Sequence, residues 1–148
     1  MSVENKTLVR RLYEEVWNKR QLQLISEIIS PSHALQAPNV AGSAIEPDAY
    51  KRQVLRFLEG YPDLHWTIED TIGEEDKVVA CWTISGTQRG EYLGIPATNK
   101  KVSVDGITIH HIAKGKIMDS YSNWDALGMM QQLGVVPALG QPKGLSAR

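Results

Sequence analysis

The spacing of apolar residues along this chain changes once, near residue 60, and that change restricts the possible folds. Upstream, apolar side chains recur every three or four residues at 8–17, 22–29 and 50–58, which is the period of helices with one buried face. Downstream of Leu64 they alternate with polar residues, which is the period of β-strands. This order predicts an α+β domain whose helices cover one face of an antiparallel sheet, and it excludes alternating βαβ units.

Turn and capping residues set the predicted boundaries. Helices are predicted at about residues 4–18, 22–29 and 47–59, the second ended by Pro31 and the third by Gly60. Residues 32–45 lack periodicity and predict a loop with at most one short strand. Strands are predicted near residues 64–69, 78–85, 88–93, 102–112 and 116–121, and Asn123 or Asp125 is expected to cap a short last helix. We therefore predict one domain, residues 1–135, followed by a flexible tail, residues 136–148.

Composition and charge exclude several classes of partner. The 16 basic residues are scattered and the formal net charge is −1, so neither a nucleic-acid face nor a membrane-binding face is expected. No segment is apolar for long enough to cross a membrane. Cys81 is the single cysteine, which excludes an internal disulfide or a cysteine zinc cluster and suits a reducing compartment. We expect a cytoplasmic protein.

Several segments carry a resemblance to a known family. The stretches NKTLVRRLYEEVWN, YPDLHWTIEDTI, GTQRGEYLGIPATNKKVSVDGITIHHIAKGKI and NWDALG resemble the SnoaL-like polyketide cyclase (ester cyclase) family of the nuclear transport factor 2-like superfamily. The resemblance covers residues 4–135. It implies a cone of three N-terminal helices on a strongly curved, mainly antiparallel sheet with a short C-terminal helix. It also implies a cofactor-independent, often dimeric protein with a hydrophobic small-molecule pocket, whose characterised relatives close a ring by intramolecular aldol condensation of a polyketide methyl ester.

The residues that carry the chemistry in those relatives are replaced here. The characterised cyclases have a His and an Asp at positions that fall on Thr108 and Ser122. Other relatives have His where Gln36 and Gln88 stand, and Glu-His-Trp at residues 119–121. A hydroxyl group cannot by itself take a proton from carbon near neutral pH, because its own pKa is too high. A displaced base is therefore required if the chain is an enzyme.

Strand alternation selects that base. Thr108 and His110 share one side of their strand, which the resemblance places inside the cone, and imidazole titrates in the useful pH range. The alternative, left open by the sequence, is that His110 only bonds a core hydroxyl or carbonyl. His33 and His65 are expected in solvent and His111 on the outer face. The predicted catalytic residues are His110, Thr108 and Ser122, and the predicted ligand-binding residues are Trp17, Gln36, Trp82, Gln88 and Ser120.

Three functional classes remain after this selection. The first is proton transfer on a polyketide-like or polycyclic ketone or ester, in a cyclisation or an isomerisation, with His110 or a carboxylate as the base. The second is a non-catalytic ligand-binding or dimerisation module on the same fold. The third, an epoxide hydrolase of the limonene type, is disfavoured because no arginine is placed between two inward aspartates.

The sequence also makes predictions about metal binding and assembly. No metal or cofactor is expected, since His110 and His111 are adjacent on a strand and point to opposite faces. Ile107 and Ile109 make the opposite side of the same strand apolar, and a face exposed to water should not be apolar. Either a partner subunit or the C-terminal segment is expected to cover it, and of the two we predict a homodimer.

Overall fold

The computed structural model of the chain describes residues 2–37 and 40–137, and it consists of short helices packed on one sheet. Most of the predicted tail lies outside the described residues. The helical segments are α1 (Ser2–Arg11), which continues as a π-helix (Leu12–Asn18), a 3-10 turn (Leu22–Leu24) with α2 (Ile25–Ile28), α3 (Pro47–Gly60) and α4 (Ala126–Gln132). None of the helices in the two described ranges is long and apolar enough to span a membrane.

Six strands form the sheet. They are β1 (Ile29–Ala37), β2 (Val40–Ala44), β3 (His65–Glu74), β4 (Lys77–Thr87), β5 (Lys101–Ala113) and β6 (Lys116–Trp124). Their order across the sheet is β2-β1-β6-β5-β4-β3, and every pair is antiparallel except β1 with β6. Register shifts in β1, β3 and β5 mark irregular pairing, and such irregularities bend strands. The predicted α+β fold with a curved, mainly antiparallel sheet is confirmed.

Two local predictions about this sheet were wrong. Residues 32–45 were predicted as a loop with at most one short strand, but residues 32–37 belong to β1 and residues 40–44 form β2. Pro31 is tolerated because it falls where the β1–β6 register shifts, between Ile29 and Ala34, so no regular ladder bond needs its missing N–H. Residues 88–93 are not a strand: the only pairing in that segment is the isolated bridge between Tyr92 and Ile95.

The segment after β4 is held by the side chain of Gln88 instead. This amide is fully buried; its Nε2 donates to the Ile95 carbonyl at 3.0 Å, and its Oε1 accepts from the Thr98 backbone N–H at 3.1 Å and the Thr98 hydroxyl at 2.8 Å. Side-chain hydrogen bonds therefore satisfy backbone groups that a strand ladder would otherwise pair.

The core lies between the helices and the inner face of the sheet. Along β5, Val102, Val104, Thr108 and His110 are buried while Ile107 and Ile109 are exposed, so one side of the strand faces the helices. The start of α4 is capped as predicted, because the Asp125 carboxylate accepts from the Gly128 N–H at 2.9 Å.

The π-helix presents the first functional side chains to this core. Four of its seven residues are buried: Leu12, Tyr13, Val16 and Trp17. The turn that follows is fixed by Arg20, whose guanidinium donates to the carbonyls of Trp17, Pro62 and Leu64. These bonds tie the end of the helix to the start of β3. The π-helical geometry is rare in proteins and is frequent at functional sites.

Candidate functional site

Two cross-strand pairs form the polar part of the inner face. His110 of β5 lies opposite Ser120 of β6, and Thr108 lies opposite Ser122. The His110 Nδ1 is 2.8 Å from the Ser120 Oγ, and the hydroxyl oxygens of Thr108 and Ser122 are 2.9 Å apart. Register and alternation thus place both pairs side by side on the face that the helices cover.

Two aromatic side chains complete hydrogen bonds to these pairs. The Tyr13 hydroxyl of the π-helix is 2.8 Å from the His110 Nε2, and the Trp82 indole N–H donates to the Thr108 Oγ1 at 2.9 Å. Indole nitrogen is a donor only, so the direction of the second bond is fixed. Ring packing adds rigidity, because Trp66 contacts Tyr13, Trp17 and Trp82 at centroid distances of 4.8, 5.2 and 4.7 Å.

His33 belongs to the same group, contrary to the expectation that it is solvated. It lies on β1 with only 1% of its surface exposed. Its Nε2 is 3.3 Å from the Ser120 Oγ, and its Nδ1 is 2.9 Å from the Ile45 carbonyl oxygen. The sequence could not reveal this strand by apolar alternation, because buried positions of β1 include Ser30 and His33.

The hydrogen bonds form a chain of four buried or nearly buried side chains: Tyr13, His110, Ser120 and His33. Burial lowers the pKa of His110 to about 3, with a further contribution from neighbouring His33, and burial also lowers the pKa of His33. Burial raises the pKa of the Tyr13 hydroxyl. All three groups are therefore neutral at pH 7, as desolvation of the charged forms requires.

Within the described part of the protein, two buried side-chain polar atoms make no hydrogen bond: the Tyr61 hydroxyl and the Trp66 Nε1. The Trp66 ring lies at the centre of the aromatic cluster, beside the four hydrogen-bonded side chains. A buried donor without a partner costs roughly 1–3 kcal/mol. Such a group in a native interior calls for an explanation, and a polar ligand atom is one.

Aromatic and aliphatic side chains otherwise fill the interior. The cleft that Phe57, Tyr61, Leu64, Ile84, Ser85, Val102 and Met129 line encloses no space for a water molecule. An open groove of ≈ 660 Å³ lies on the other side of the sheet, where Cys81, Asp105, Ile107 and Asn123 project outward. A hydrophobic pocket inside the cone stays a prediction.

Comparison with known proteins identifies the family. The model of the SnoaL-like polyketide cyclase family matches residues 7–133. The chain belongs to this family. No curated protein sequence matches it significantly.

Three solved structures with the same fold illustrate the similarity. A candidate SnoaL-like polyketide cyclase from Jannaschia sp. CCS1 is 24% identical, with 92% of this chain and 95% of that chain covered and a TM-score of 0.81. TsrD from Streptomyces laurentii is 27% identical over 92% of this chain and 98% of that one, with a TM-score of 0.81. AclR, a candidate hydroxylase from Streptomyces galilaeus, is 23% identical over 97% and 87%, with the same TM-score.

Not every predicted site residue of this SnoaL-like chain reaches the hydrogen-bonded group. His110, Thr108, Ser122, Trp82 and Ser120 lie together, and Trp17 lies beside them, its indole N–H donating to the Tyr50 hydroxyl at 3.0 Å. Gln36 is exposed, and the Gln88 amide is occupied by the loop it holds. Tyr13, Trp66 and His33 also belong to this group and were not among the predicted site residues. Tyr13 and Trp66 were recognisable as residues of apolar faces, but nothing local indicated that the Tyr13 hydroxyl bonds His110.

His111 lies on the opposite face from this site. Its Nδ1 is 2.9 Å from the Asp119 carboxylate and its Nε2 is 2.8 Å from that of Asp76. The carboxylates, Asp119 foremost, raise the pKa of His111. Among the residues that the structure describes, no three His, Cys, Asp or Glu side chains are grouped to hold a metal ion.

Proposed function

We propose that this SnoaL-like protein catalyses cofactor-independent proton transfer, in a cyclisation or isomerisation, on a polyketide-like or polycyclic ketone or ester. The observation that carries the proposal is the 2.8 Å hydrogen bond between the Tyr13 hydroxyl and the His110 Nε2. A neutral imidazole nitrogen that accepts such a bond can also accept a proton. His110 thus supplies the base that Thr108 and Ser122 cannot supply.

Tyr13 is the group through which His110 acts in this proposal. A proton leaving the carbon next to a ligand carbonyl passes to the Tyr13 oxygen as the Tyr13 proton passes to His110. The resulting imidazolium is buried, and its pKa of about 3 in the absence of a neighbouring anion opposes its formation. The enolate formed beside it has the opposite charge, which favours imidazolium and raises that pKa. The same path returns the proton when the product forms.

The hydroxyl pair of Thr108 and Ser122 is assigned to the ligand carbonyl. The two hydroxyls carry two hydrogens, and their mutual bond at 2.9 Å uses one of them, which leaves one donor for a carbonyl oxygen. Ser122 is half-buried whereas Ser120 is buried, so we place ligand entry at the Ser122 end of β6. Entry requires displacement of aromatic side chains, and the Trp66 N–H gains a partner when a ligand oxygen enters.

Hydrogen–deuterium exchange tests this proposal without knowledge of the natural substrate. In D₂O at pH 7, the protein is expected to accelerate loss of the acidic C–H resonance of at least one aromatic β-keto ester or polycyclic ketone in a panel, followed by NMR. His110→Gln is expected to lower that rate about 100-fold or more, the usual contribution of a general base. The rate should be nearly independent of pH between 5 and 8, because the base stays unprotonated above its pKa of about 3.

The exposed His65 of β3 provides the matched control, and His65→Gln should exchange ligand protons at the wild-type rate. If His110→Gln exchanges the ligand C–H at the wild-type rate, His110 is not the base. Ligand binding, detected by quenching of tryptophan fluorescence, with no exchange for any compound would favour the alternative of a non-catalytic binding module.

We also propose that the protein is a homodimer formed through the outer face of the sheet. Register aligns Ile72, Val79, Ile109 and Tyr121 in one row across four strands, and Ile109 and Tyr121 are 40% and 52% exposed. Ile107, which is 51% exposed, lies beside Ile109 along β5 and widens this apolar patch. Contiguous exposed apolar residues of this kind mark interaction surfaces, and a twofold dimer buries the same patch on both chains.

Light scattering coupled to size-exclusion chromatography should give twice the chain mass of 16.5 kDa at micromolar concentration. Ile109→Glu places two like charges at the centre of the interface and is expected to yield monomers. Leu93→Glu, a change at an exposed residue outside the sheet, should leave the mass unchanged. A wild-type protein of single-chain mass would refute the proposed assembly.

A further inference from the structure

His33 occupies a position whose proton arrangement is determined by the backbone. Its Nδ1 is 2.9 Å from the carbonyl oxygen of Ile45, and a carbonyl oxygen only accepts hydrogen bonds. The Ile45 N–H donates in turn to the His33 carbonyl at 2.8 Å, which holds the two residues in register. His33 therefore carries its proton on Nδ1, and since burial lowers its pKa, its Nε2 is an unprotonated acceptor.

Ser120 links the His33 ring, with its proton on Nδ1, to the His110 ring. The Ser120 Oγ lies between two imidazole nitrogens, 3.3 Å from the His33 Nε2 and 2.8 Å from the His110 Nδ1. A serine hydroxyl has one hydrogen and two lone pairs. Its hydrogen goes to the His33 Nε2, which has no other donor in this chain of bonds, so its oxygen is left to accept from the His110 Nδ1–H.

We infer that His33 is a positioning residue: acting through Ser120, it holds His110 in the Nδ1–H tautomer and leaves the His110 Nε2 free to accept from Tyr13. The order of donors in the chain is then Tyr13 to His110, His110 to Ser120, Ser120 to His33, and His33 to the Ile45 carbonyl. Reversal would set the Nδ1 lone pair of His33 against the carbonyl oxygen. Only the catalytic consequence, an unprotonated nitrogen at Tyr13, rests on the proposed function.

The tautomers are read directly by long-range ¹H–¹⁵N correlation of the histidine rings at pH 7. In the wild-type protein, the His110 Nδ1 is expected at a protonated, pyrrole-type ¹⁵N shift and the Nε2 at an unprotonated, pyridine-type shift. In His33→Phe, Ser120 loses its acceptor and becomes free to donate to His110, so the majority of His110 should change to the Nε2–H tautomer. His33→Gln should retain the wild-type pattern, because the amide can donate to Ile45 and accept from Ser120.

Rescue by glutamine distinguishes proton ordering from a merely structural effect of replacing His33. Should His33→Phe fail to fold, Ser120→Ala removes the hydroxyl that links the two imidazoles while both rings remain. His110 should then no longer be held in the Nδ1–H tautomer. A wild-type His110 protonated on Nε2, or a folded His33→Phe or Ser120→Ala protein that keeps the Nδ1–H pattern, would overturn the inference. Because no substrate is used, the expected tautomers together with absent exchange would reject the proposed function while supporting the positioning role.

Discussion

Lowering the pH from 7.5 to 4.5 is expected to destabilise the folded chain by about 2–3 kcal/mol through His110 alone. Its pKa of about 3 in the folded state lies below its ordinary value of 6.5, so the unfolded state binds more protons between these pH values. The stabilisation is complete above pH 6.5 and is lost as the pH falls toward 3. The lowered pKa of His33 acts in the same direction. The raised pKa of exposed His111 acts in the opposite direction, with a smaller effect because solvent screens it.

Urea unfolding at pH 7.5, 5.5 and 4.5 measures this dependence through the transition midpoint. His110→Gln removes the titrating group, so its midpoint should fall much less with acid than that of the wild type, even if the variant is less stable at pH 7.5. His65→Gln changes an exposed ring and should reproduce the wild-type pH dependence. If the urea midpoint of His110→Gln falls with acid as much as that of the wild type, protonation of other groups causes the loss of stability.

Adding one carbon at Gly106 is expected to cost about 3 kcal/mol of stability. Gly106 lies on β5 directly opposite Trp82, and a Cβ at this position would overlap the indole ring of Trp82. That ring cannot move away freely, because its N–H is bonded to Thr108 and its face packs against Trp66. Gly106→Ala therefore forces the aromatic cluster and the Thr108 hydroxyl out of position together.

The comparison with Gly73→Ala isolates the steric effect from the change in backbone entropy. Gly73 is also a strand glycine, and its added Cβ would lie 3.1 Å from the Cε of Lys6, the mobile end of a long side chain. That substitution should shift the urea midpoint little. In a Trp82→Leu background, Gly106→Ala should cost much less than in the wild type, and equal costs in both backgrounds would exclude the overlap as the cause.

Hydrogen bonds join the polar side chains of the inner face across separate elements. Thr108 and Ser122 bond each other at 2.9 Å, and the imidazole of His110 lies one alternation further along β5. Ser120 links this imidazole to that of His33. With the bond between Tyr13 and His110, these contacts connect strands β1, β5 and β6 with the π-helix.

The sequence by itself determined that helices precede the antiparallel strands β3 to β6, and it determined the facing of side chains along β5. Both depend on local periodicity: the three- and four-residue spacing of the helices, and the alternation that puts Thr108 and His110 on one side of β5 and Ile107 and Ile109 on the other. The cap at Asp125 was also predictable from local sequence, since a capping side chain bonds only backbone N–H groups in the first turn of its own helix.

Tertiary structure decided which distant residues meet. The Tyr13 hydroxyl contacts the His110 ring, which lies 97 residues away in the sequence. His33 contacts Ser120 because β1 pairs with β6 in parallel, and no short segment of sequence encodes such a long-range pairing. Gln88 was predicted to bind the ligand, yet packing commits its amide to the adjacent loop. Periodicity fixes the side of an element on which a residue lies, but hydrogen-bond partners depend on the register and packing of separate elements, which only the folded chain defines.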